Sequence, residues 1–248
     1  MIVSVESQIL IGVLVTSIVS GVLGMGGGMM LMALYATLLP VKMAMVLHGI
    51  TQVSANGFRA YIHKDHITYK ILLPYFIGVG IVFIALRIIN FVPDKGLLYL
   101  TLGIFPFITF LPKVSEFFSI SRKNRPLLCG GAVTFAQITA GASGGILDIF
   151  FINSPLTRYE IIATKAFTQT FGHIVKLIYY LTLINFATEL NGLNFWIIPG
   201  VIGTSFLGTY IGKKILIKLN DKIFRQISKV IILLIAIGLI YKGIFFFL

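Results

Sequence analysis

The hydrophobic residues of this chain fall into eight long blocks separated by short polar or basic clusters. The blocks cover residues 8–40, 43–62, 69–90, 96–112, 126–152, 158–184, 196–217 and 223–247. Because a helix that crosses the roughly 30 Å hydrocarbon layer of a bilayer needs about 20 residues, most blocks predict one transmembrane helix each. The pattern therefore predicts an all-α polytopic membrane protein.

Glycine runs interrupt the first and the fifth block. The first run, at residues 24–28, reads GMGGG, and the second, at residues 141–145, reads GASGG. Both blocks resemble broken helices, and we interpret them as hairpins that enter the membrane and return. Such a hairpin leaves backbone groups unpaired that only protein or cavity water can satisfy.

The two glycine runs belong to an internal repeat. Shifting the chain by 117 residues places Gly24 on Gly141 and Gly28 on Gly145 without a gap. Polar residues then coincide as well: His48 with Lys165, Thr51-Gln52 with Thr168-Gln169, Asn56 with His173, Arg59 with Lys176 and, after an eight-residue insertion, Pro74 with Pro199. We therefore predict two membrane repeats, residues 1–120 and 121–248, derived from one ancestral unit.

The distribution of basic residues predicts how the repeats cross the membrane. If the first and fifth blocks dip in and return, 13 loop Lys and Arg residues lie on one side and four on the other. If every block crosses once, the basic residues divide about evenly, against the positive-inside tendency. We therefore predict two inverted repeats, each with one re-entrant hairpin and three transmembrane helices, and both termini outside.

Composition agrees with a membrane location and excludes a soluble globule. Of the 248 residues, 57% are apolar and only 11% are charged, too few to coat a water-soluble fold. The excess of 20 Lys and Arg over 8 Asp and Glu fits cytoplasmic loops better than nucleic-acid binding. The start of the chain lacks the basic head of a secretory signal peptide, and the lone Cys129 excludes an intramolecular disulfide.

Blocks two and six each carry a polar stripe along one helix face, with the spacing i, i+3, i+4, i+8 and i+11. The stripes consist of His48, Thr51, Gln52, Asn56 and Arg59, and of Lys165, Thr168, Gln169, His173 and Lys176. Polar groups at membrane depth are costly unless they meet partners or a hydrated cavity. The duplicated stripes therefore predict a substrate pathway, with helix-to-helix hydrogen bonding as the alternative.

The glycine runs favour an anion as the substrate. Half-helices that start after the two runs would point free N–H groups and positive dipole ends toward the middle of the membrane. The candidate backbone donors are Gly26, Gly27, Gly28, Ser143, Gly144 and Gly145, with close helix packing of the GxxxG kind as the alternative. Asp148 is a candidate coupling site for a proton or cation, or else neutralises Lys165 or Lys176 or caps a half-helix.

The duplicated eight-block layout, the length near 250 residues and the paired glycine runs resemble the sulfite exporter TauE/SafE family of membrane permeases. The resemblance covers nearly the whole chain. It implies a secondary carrier or facilitator for sulfite, thiosulfate or an organosulfonate, and we expect a prokaryotic plasma membrane, no cofactor and no metal. Family members commonly have a proline about five residues after the glycine run, where this chain has Ala33 and Phe150.

Two other functions fit parts of the sequence. Residues 141–144 spell the G-x-S-G of rhomboid-type intramembrane serine proteases, with His173 as a possible base. The repeat aligns Ser143 with Gly26, however, which favours a duplicated turn over a nucleophile. An anion channel with the same fold is the nearer alternative, and transport rates and counterflow distinguish it from a carrier.

Overall fold

A computed structural model of the chain describes residues 4–23, 26–109, 112–151, 153–184, 193–216, 221–246 and 248. Regular structure in these ranges is helical, without a strand, which confirms the all-α prediction. The helices are α1 (Val5–Leu23), α2 (Gly27–Leu38), α3 (Val41–Ile62), α4 (Leu72–Ile88), α5 (Lys95–Thr109), α6 (Pro112–Phe117), α7 (Arg125–Thr139), α8 (Gly144–Phe151), α9 (Arg158–Leu181), α10 (Ile197–Leu216) and α11 (Asp221–Phe245). Short 3-10 turns at Lys64–His66 and Tyr69–Ile71 connect α3 to α4.

Side-chain burial differs in two respects from that of a typical water-soluble protein. The outer face of α4 exposes a row of apolar side chains at helical spacing: Leu73, Ile77, Ile81, Ile84 and Ile88. Ionisable and amide side chains such as His48, Gln137 and Lys176 are instead almost completely buried. Apolar side chains on the outer surface together with polar side chains buried inside are what a lipid environment selects, because lipid offers no partner to a polar group.

Both predicted helix breaks are present. Helix α1 ends at Leu23 and α2 begins at Gly27, while α7 ends at Thr139 and α8 begins at Gly144. The chain turns through Gly26 with φ of 81° and through Gly141 with φ of 77°. A residue with a Cβ atom rarely adopts this left-handed conformation, which explains why glycine occupies both turns. Gly24 and Met25 lie outside the described residues.

Each break joins two helices into an antiparallel hairpin. In the first hairpin, Leu34 of α2 packs against Gly12 of α1, and Gly27 packs against the backbone near Ser20. In the second, the N–H of Ile120, just before α7, donates to the carbonyl of Phe150 at the end of α8 over 2.7 Å. The open ends of the hairpins therefore lie at the beginning of α1 and of α7.

Helix boundaries follow the register of the internal repeat. Helices α2 and α8 begin at Gly27 and Gly144, and α3 and α9 begin at Val41 and Arg158, in both cases 117 residues apart. Corresponding helices also pack against each other in opposite directions. In α3 and α9, Gly49 contacts Leu177 whereas Gly57 contacts Thr170. In α5 and α11, Gly103 contacts Ile240 whereas Gly243 contacts Leu100.

The two hairpins open toward opposite ends of the molecule. At one end, Thr37 near the end of α2 contacts Tyr99 and accepts a hydrogen bond of 2.8 Å from Lys242 Nζ. At the other end, Ser119 donates to the carbonyl of Asn153 over 3.0 Å. The glycine tips of both hairpins face the interior between these ends.

Among the described residues, one helical segment, Tyr69–Ile88, is long and apolar enough to cross a membrane by length and composition alone. Four shorter apolar stretches of 10–17 residues lie at Val5–Gly21, Gly27–Leu38, Lys95–Ile108 and Leu233–Phe245. Helices α3 and α9 have 22 and 24 residues, enough to span about 30 Å, but their polar stripes lower their hydropathy. Six complete crossings therefore stay a prediction.

Candidate functional site

A cavity of about 70 Å³ lies where the two hairpin tips meet the polar stripes of α3 and α9. One water molecule needs about 10–15 Å³ on the same measure, so the cavity has room for several waters or one small oxyanion. Helix α5 closes one side with Leu102, Phe105 and Pro106. Both glycine breaks reach the cavity, since Gly26 and Gly28 of the first and Gly144 and Gly145 of the second line it.

Twelve of the residues predicted from the sequence line this cavity. They are Gly26, Gly28, Gln52, Asn56, Arg59, Ser143, Gly144, Gly145, Asp148, Lys165, Gln169 and His173. Both repeats contribute, and each contributes a hairpin tip and part of a stripe. The lining combines backbone at two helix starts with amide, imidazole, guanidinium and ammonium groups, which are the hydrogen-bond donors that an oxyanion requires.

The other five predicted residues lie away from the cavity lining. Gly27 packs against the Thr16 carbonyl of α1. The Thr51 hydroxyl donates to the Leu47 carbonyl of its own helix over 2.8 Å, and that of Thr168 bonds its own helix in the same way. His48 and Lys176 contact each other beside the cavity. The Thr51 hydroxyl also bonds the Tyr35 hydroxyl of α2 over 3.0 Å, which is a contact of the helix-to-helix kind, whereas the hydroxyl of Thr168 bonds carbonyls of α9.

The two predicted glutamines stand beside the two helix starts. A Cβ atom added to Gly28 would lie 3.5 Å from Nε2 of Gln52, and one added to Gly144 would lie 3.5 Å from Nε2 of Gln169. Asn56 Nδ2 donates to Gln52 Oε1 over 3.0 Å. That bond occupies the carbonyl oxygen of Gln52, so its NH₂ group is the part available to a ligand.

Charge at the cavity is unequal between the two repeats. Lys165 forms an ion pair with Asp148, one of the partners predicted for this aspartate. Arg59 lines the other side and makes no ion pair with any described residue. The cavity wall therefore carries two cationic side chains and one anionic side chain, an excess of one positive charge before any contribution from His173.

Three buried polar atoms of the lining have no hydrogen-bond partner among the described residues: Ser143 Oγ, Asp148 Oδ2 and His173 Nδ1. Buried polar atoms in native proteins are nearly always paired, so each unpaired atom calls for a ligand or an ordered water. Their convergence on one cavity makes it the candidate site for a polar ligand.

His48 and Lys176 connect the two hairpins. His48 Nε2 lies 2.8 Å from the carbonyl oxygen of Gly28, and its Nδ1 lies 2.7 Å from Nζ of Lys176. Lys176 Nζ in turn donates to the carbonyl of Gly141 over 2.9 Å. A chain of hydrogen bonds thus runs from one hairpin tip to the other through one side chain of each repeat.

Several lining residues were missed in the sequence, among them Ser20, Met29, Leu102, Phe105, Pro106, Ala142 and Ile146. A signal existed for Ser20, because the repeat register places it on Gln137, a second polar residue inside an apolar block. The residues of α5 carried no such signal. They approach the cavity through packing of α5 on α8 and α2, which no local pattern encodes.

The geometry does not favour a serine nucleophile, a reactive cysteine or a metal centre. Ser143 Oγ and His173 Nδ1 are both unpaired, so no hydrogen bond joins a serine nucleophile to a base in this state. Cys129 is fully buried in an apolar cluster. Within the described ranges, no group of three or more His, Cys, Asp or Glu side chains is placed to hold a metal ion.

The all-helical architecture, the exposed apolar side chains and the polar internal cavity are consistent with a helical membrane protein. The chain belongs to the sulfite exporter TauE/SafE family, whose model matches residues 9–239. Membership identifies it as a member of a membrane transporter family. No curated protein and no solved structure matches the chain.

Proposed function

We propose that this protein is a secondary carrier for a small sulfur-containing anion, and that the cavity between the hairpin tips is its binding site. Family membership supports the substrate class, since the family is named for sulfite export. The observation that carries the proposal is the convergence of two glycine-initiated helices, α2 and α8, on one cavity with unpaired buried polar atoms.

Each part of the cavity has a role in holding an oxyanion. The N–H groups at the starts of α2 and α8 replace part of the water shell of the anion, and the helix dipoles favour its charge. Gln52 and Gln169 donate from their side-chain amides, and Ser143 donates from its hydroxyl. Arg59 supplies the unpaired positive charge, with Lys165 as a second cation when Asp148 releases it.

The proposal includes two inverted repeats, residues 1–120 and 121–248, with the hairpins re-entrant from opposite sides. It is supported by the antiparallel packing of α3 with α9 and of α5 with α11. The same arrangement places Glu6 beside the segment that precedes α10, where the N–H of Asn194 donates to Glu6 Oε1 over 2.8 Å. The N-terminus and the 193–196 segment then lie on the same, outer side.

Inverted repeats provide a simple route to alternating access. Two conformations that exchange the roles of the repeats have similar energies, and each opens the shared site to one side of the membrane. Here the two hairpins contact the same cavity from opposite ends. Movement of one hairpin away from its stripe would open the cavity to one side while the other hairpin keeps it closed.

The test is counterflow in proteoliposomes that contain the purified protein. Liposomes loaded with unlabelled thiosulfate or sulfite should take up the labelled anion faster than empty liposomes, because a carrier returns loaded faster than it returns empty. Uptake without acceleration by internal substrate would indicate a channel. Uptake no faster than in protein-free liposomes, for sulfite, thiosulfate and organosulfonates alike, would refute the proposal.

A further inference from the structure

Lys176 is a buried lysine that does not line the cavity and has no role in the proposed anion site. Its side chain is completely inaccessible to solvent. Its hydrogen bonds go to neutral groups, the imidazole of His48 and the carbonyl of Gly141. Among the described residues the one ion pair joins Lys165 to Asp148, so Lys176 has no acidic partner there.

The hydrogen bonds determine where protons can lie. The Gly28 carbonyl can only accept, so Nε2 of His48 carries a proton, and Nδ1 of the neutral ring accepts from Lys176. A neutral Lys176 has two N–H bonds, which match its two acceptors. One further proton can enter the pair, on Nζ or on Nδ1, but a second would place two cationic donors 2.7 Å apart.

A charged pair at this position is stable only with a nearby negative charge. An ionised group without a partner in a buried site carries a desolvation penalty of several kcal/mol. The pair hydrogen-bonds the carbonyls of Gly28, which lines the cavity, and of Gly141, which precedes the lining residue Ala142. An anion in the cavity is therefore the counter-charge that the pair lacks.

We propose that His48 and Lys176 form a single-proton site that is loaded together with the anion, so that the protein moves one proton with each anion. This inference rests on the proposed carrier function. The proton binds as the anion enters and is released when the anion leaves, because each stabilises the charge of the other. The hydrogen bonds to both hairpin tips would transmit occupancy of the site to the elements that open and close it.

Other titratable groups surround the pair and are candidates for the same effect. His173, one turn before Lys176 on α9, has its ring centre 5.4 Å from that of His48. Tyr35 of α2 has its ring centre 6.4 Å from that of His48, and its hydroxyl bonds to Thr51. Asp148 of α8 is engaged with Lys165. The test must separate these groups from the pair.

Thiosulfate is the suitable probe because it stays fully ionised near neutral pH and carries no proton itself. Its affinity for the purified full-length protein is measured by calorimetry from mildly acidic to mildly alkaline pH. In the wild type the affinity for thiosulfate should fall by up to about tenfold for each unit of rising pH, over the range in which the anion-free pair has lost its proton. This is the slope expected for one linked proton. In the double variant Lys176→Met plus His48→Gln that slope should disappear, because neither group that can hold the proton remains.

Three further variants identify the group responsible. Lys176→Arg keeps its charge at every pH, so its affinity should be independent of pH, and a pH gradient should no longer drive uptake. His173→Gln and Asp148→Asn should retain a wild-type slope. Exposed Lys213 serves as the control, and Lys213→Gln should behave as the wild type in every measurement.

The results that would overturn the proton site differ from those that would overturn the carrier function. A flat pH profile in a wild type that binds and exchanges thiosulfate would overturn the proton site and leave the carrier intact. A slope that persists in the double variant Lys176→Met plus His48→Gln, or that is lost in His173→Gln, would also overturn it. Absence of binding and exchange of any sulfur anion at every pH would instead refute the carrier.

Discussion

Nε2 of Gln169 lies 3.5 Å from the position that a Cβ atom on Gly144 would occupy. The side-chain amide of α9 thus lies beside the first residue of α8, at the N-terminal end of that helix. Gln52 has the matching relationship to Gly28 at the start of α2. Substitution of these glycines and glutamines can therefore test whether the anion binds at the two helix starts.

A methyl group on Gly144 should weaken anion binding without lowering the stability of the fold. The spacing to Gln169 is ordinary van der Waals contact, and alanine is favoured over glycine in helices. Gly144→Ala should therefore retain the wild-type unfolding temperature but bind thiosulfate about tenfold more weakly, equivalent to one lost hydrogen bond. Gly203→Ala on α10, where nothing lies within 4 Å, should change neither quantity. Unchanged affinity in Gly144→Ala would remove this helix start from the site.

Removal of both glutamine amides should weaken binding more strongly. Each lost donor to a buried anion costs about 1–3 kcal/mol, or about 5–150 fold in affinity. We expect Gln52→Ala plus Gln169→Ala to abolish measurable counterflow and each single variant to raise the half-saturating concentration. Ser54→Ala is the control, because its hydroxyl bonds only the Ile50 carbonyl of α3. Wild-type counterflow in the double variant would exclude the glutamines from the mechanism.

The ion pair at the cavity should limit how much positive charge the anion meets. Asp148→Asn frees Lys165, and we expect tighter binding of a divalent anion such as thiosulfate. Lys165→Met leaves the carboxylate of Asp148 without its counter-ion, and should weaken binding and lower stability by about 1–3 kcal/mol. Affinity by calorimetry and thermal unfolding in detergent measure the two effects. Weaker thiosulfate binding by Asp148→Asn would indicate that the aspartate itself serves the substrate.

Of the two glycines in α4, Gly78 lies at the close contact with α7 and Gly80 does not. A Cβ atom on Gly78 would collide with the Leu127 carbonyl, whereas one on Gly80 would meet nothing within 4 Å. Gly78→Ala should force the helices apart and reduce stability by about 1–3 kcal/mol. Gly80→Ala, two residues away on the same helix, should be neutral or slightly stabilising. Equal unfolding temperatures for the two variants would contradict the packing.

The proposed topology predicts which introduced cysteines react in intact cells. The native Cys129 is buried, so single cysteines at exposed positions report on their own surroundings. Ser4→Cys and Leu248→Cys should react with a membrane-impermeant maleimide in intact cells, whereas Lys123→Cys should react only after permeabilisation. Labelling of the two termini from opposite sides, or of Lys123→Cys from outside, would refute the two re-entrant hairpins.

The sequence was sufficient for features that are local or repeated. Hydrophobic blocks predict helices because backbone groups in lipid must pair within their own segment. The glycine runs predict the breaks, and the register of 117 residues matches the starts of α2 and α8 and of α3 and α9. Most of the polar residues that line the cavity were also predicted, because polar residues inside apolar blocks are stable mainly in a shared interior.

Only the tertiary structure decided which polar residues of one stripe reach the cavity. In α3, Gln52 lines it, whereas Thr51, the adjacent residue, bonds Tyr35 and its own helix. Residues one position apart differ by about 100° around a helix, so a broad polar face divides between the cavity and neighbouring helices. The sequence places His48 and Lys176 on the stripes, but their bond to each other exists only because α3 and α9 pack antiparallel. That pairing joins residues 128 positions apart, a contact that no periodicity within a single helix can encode.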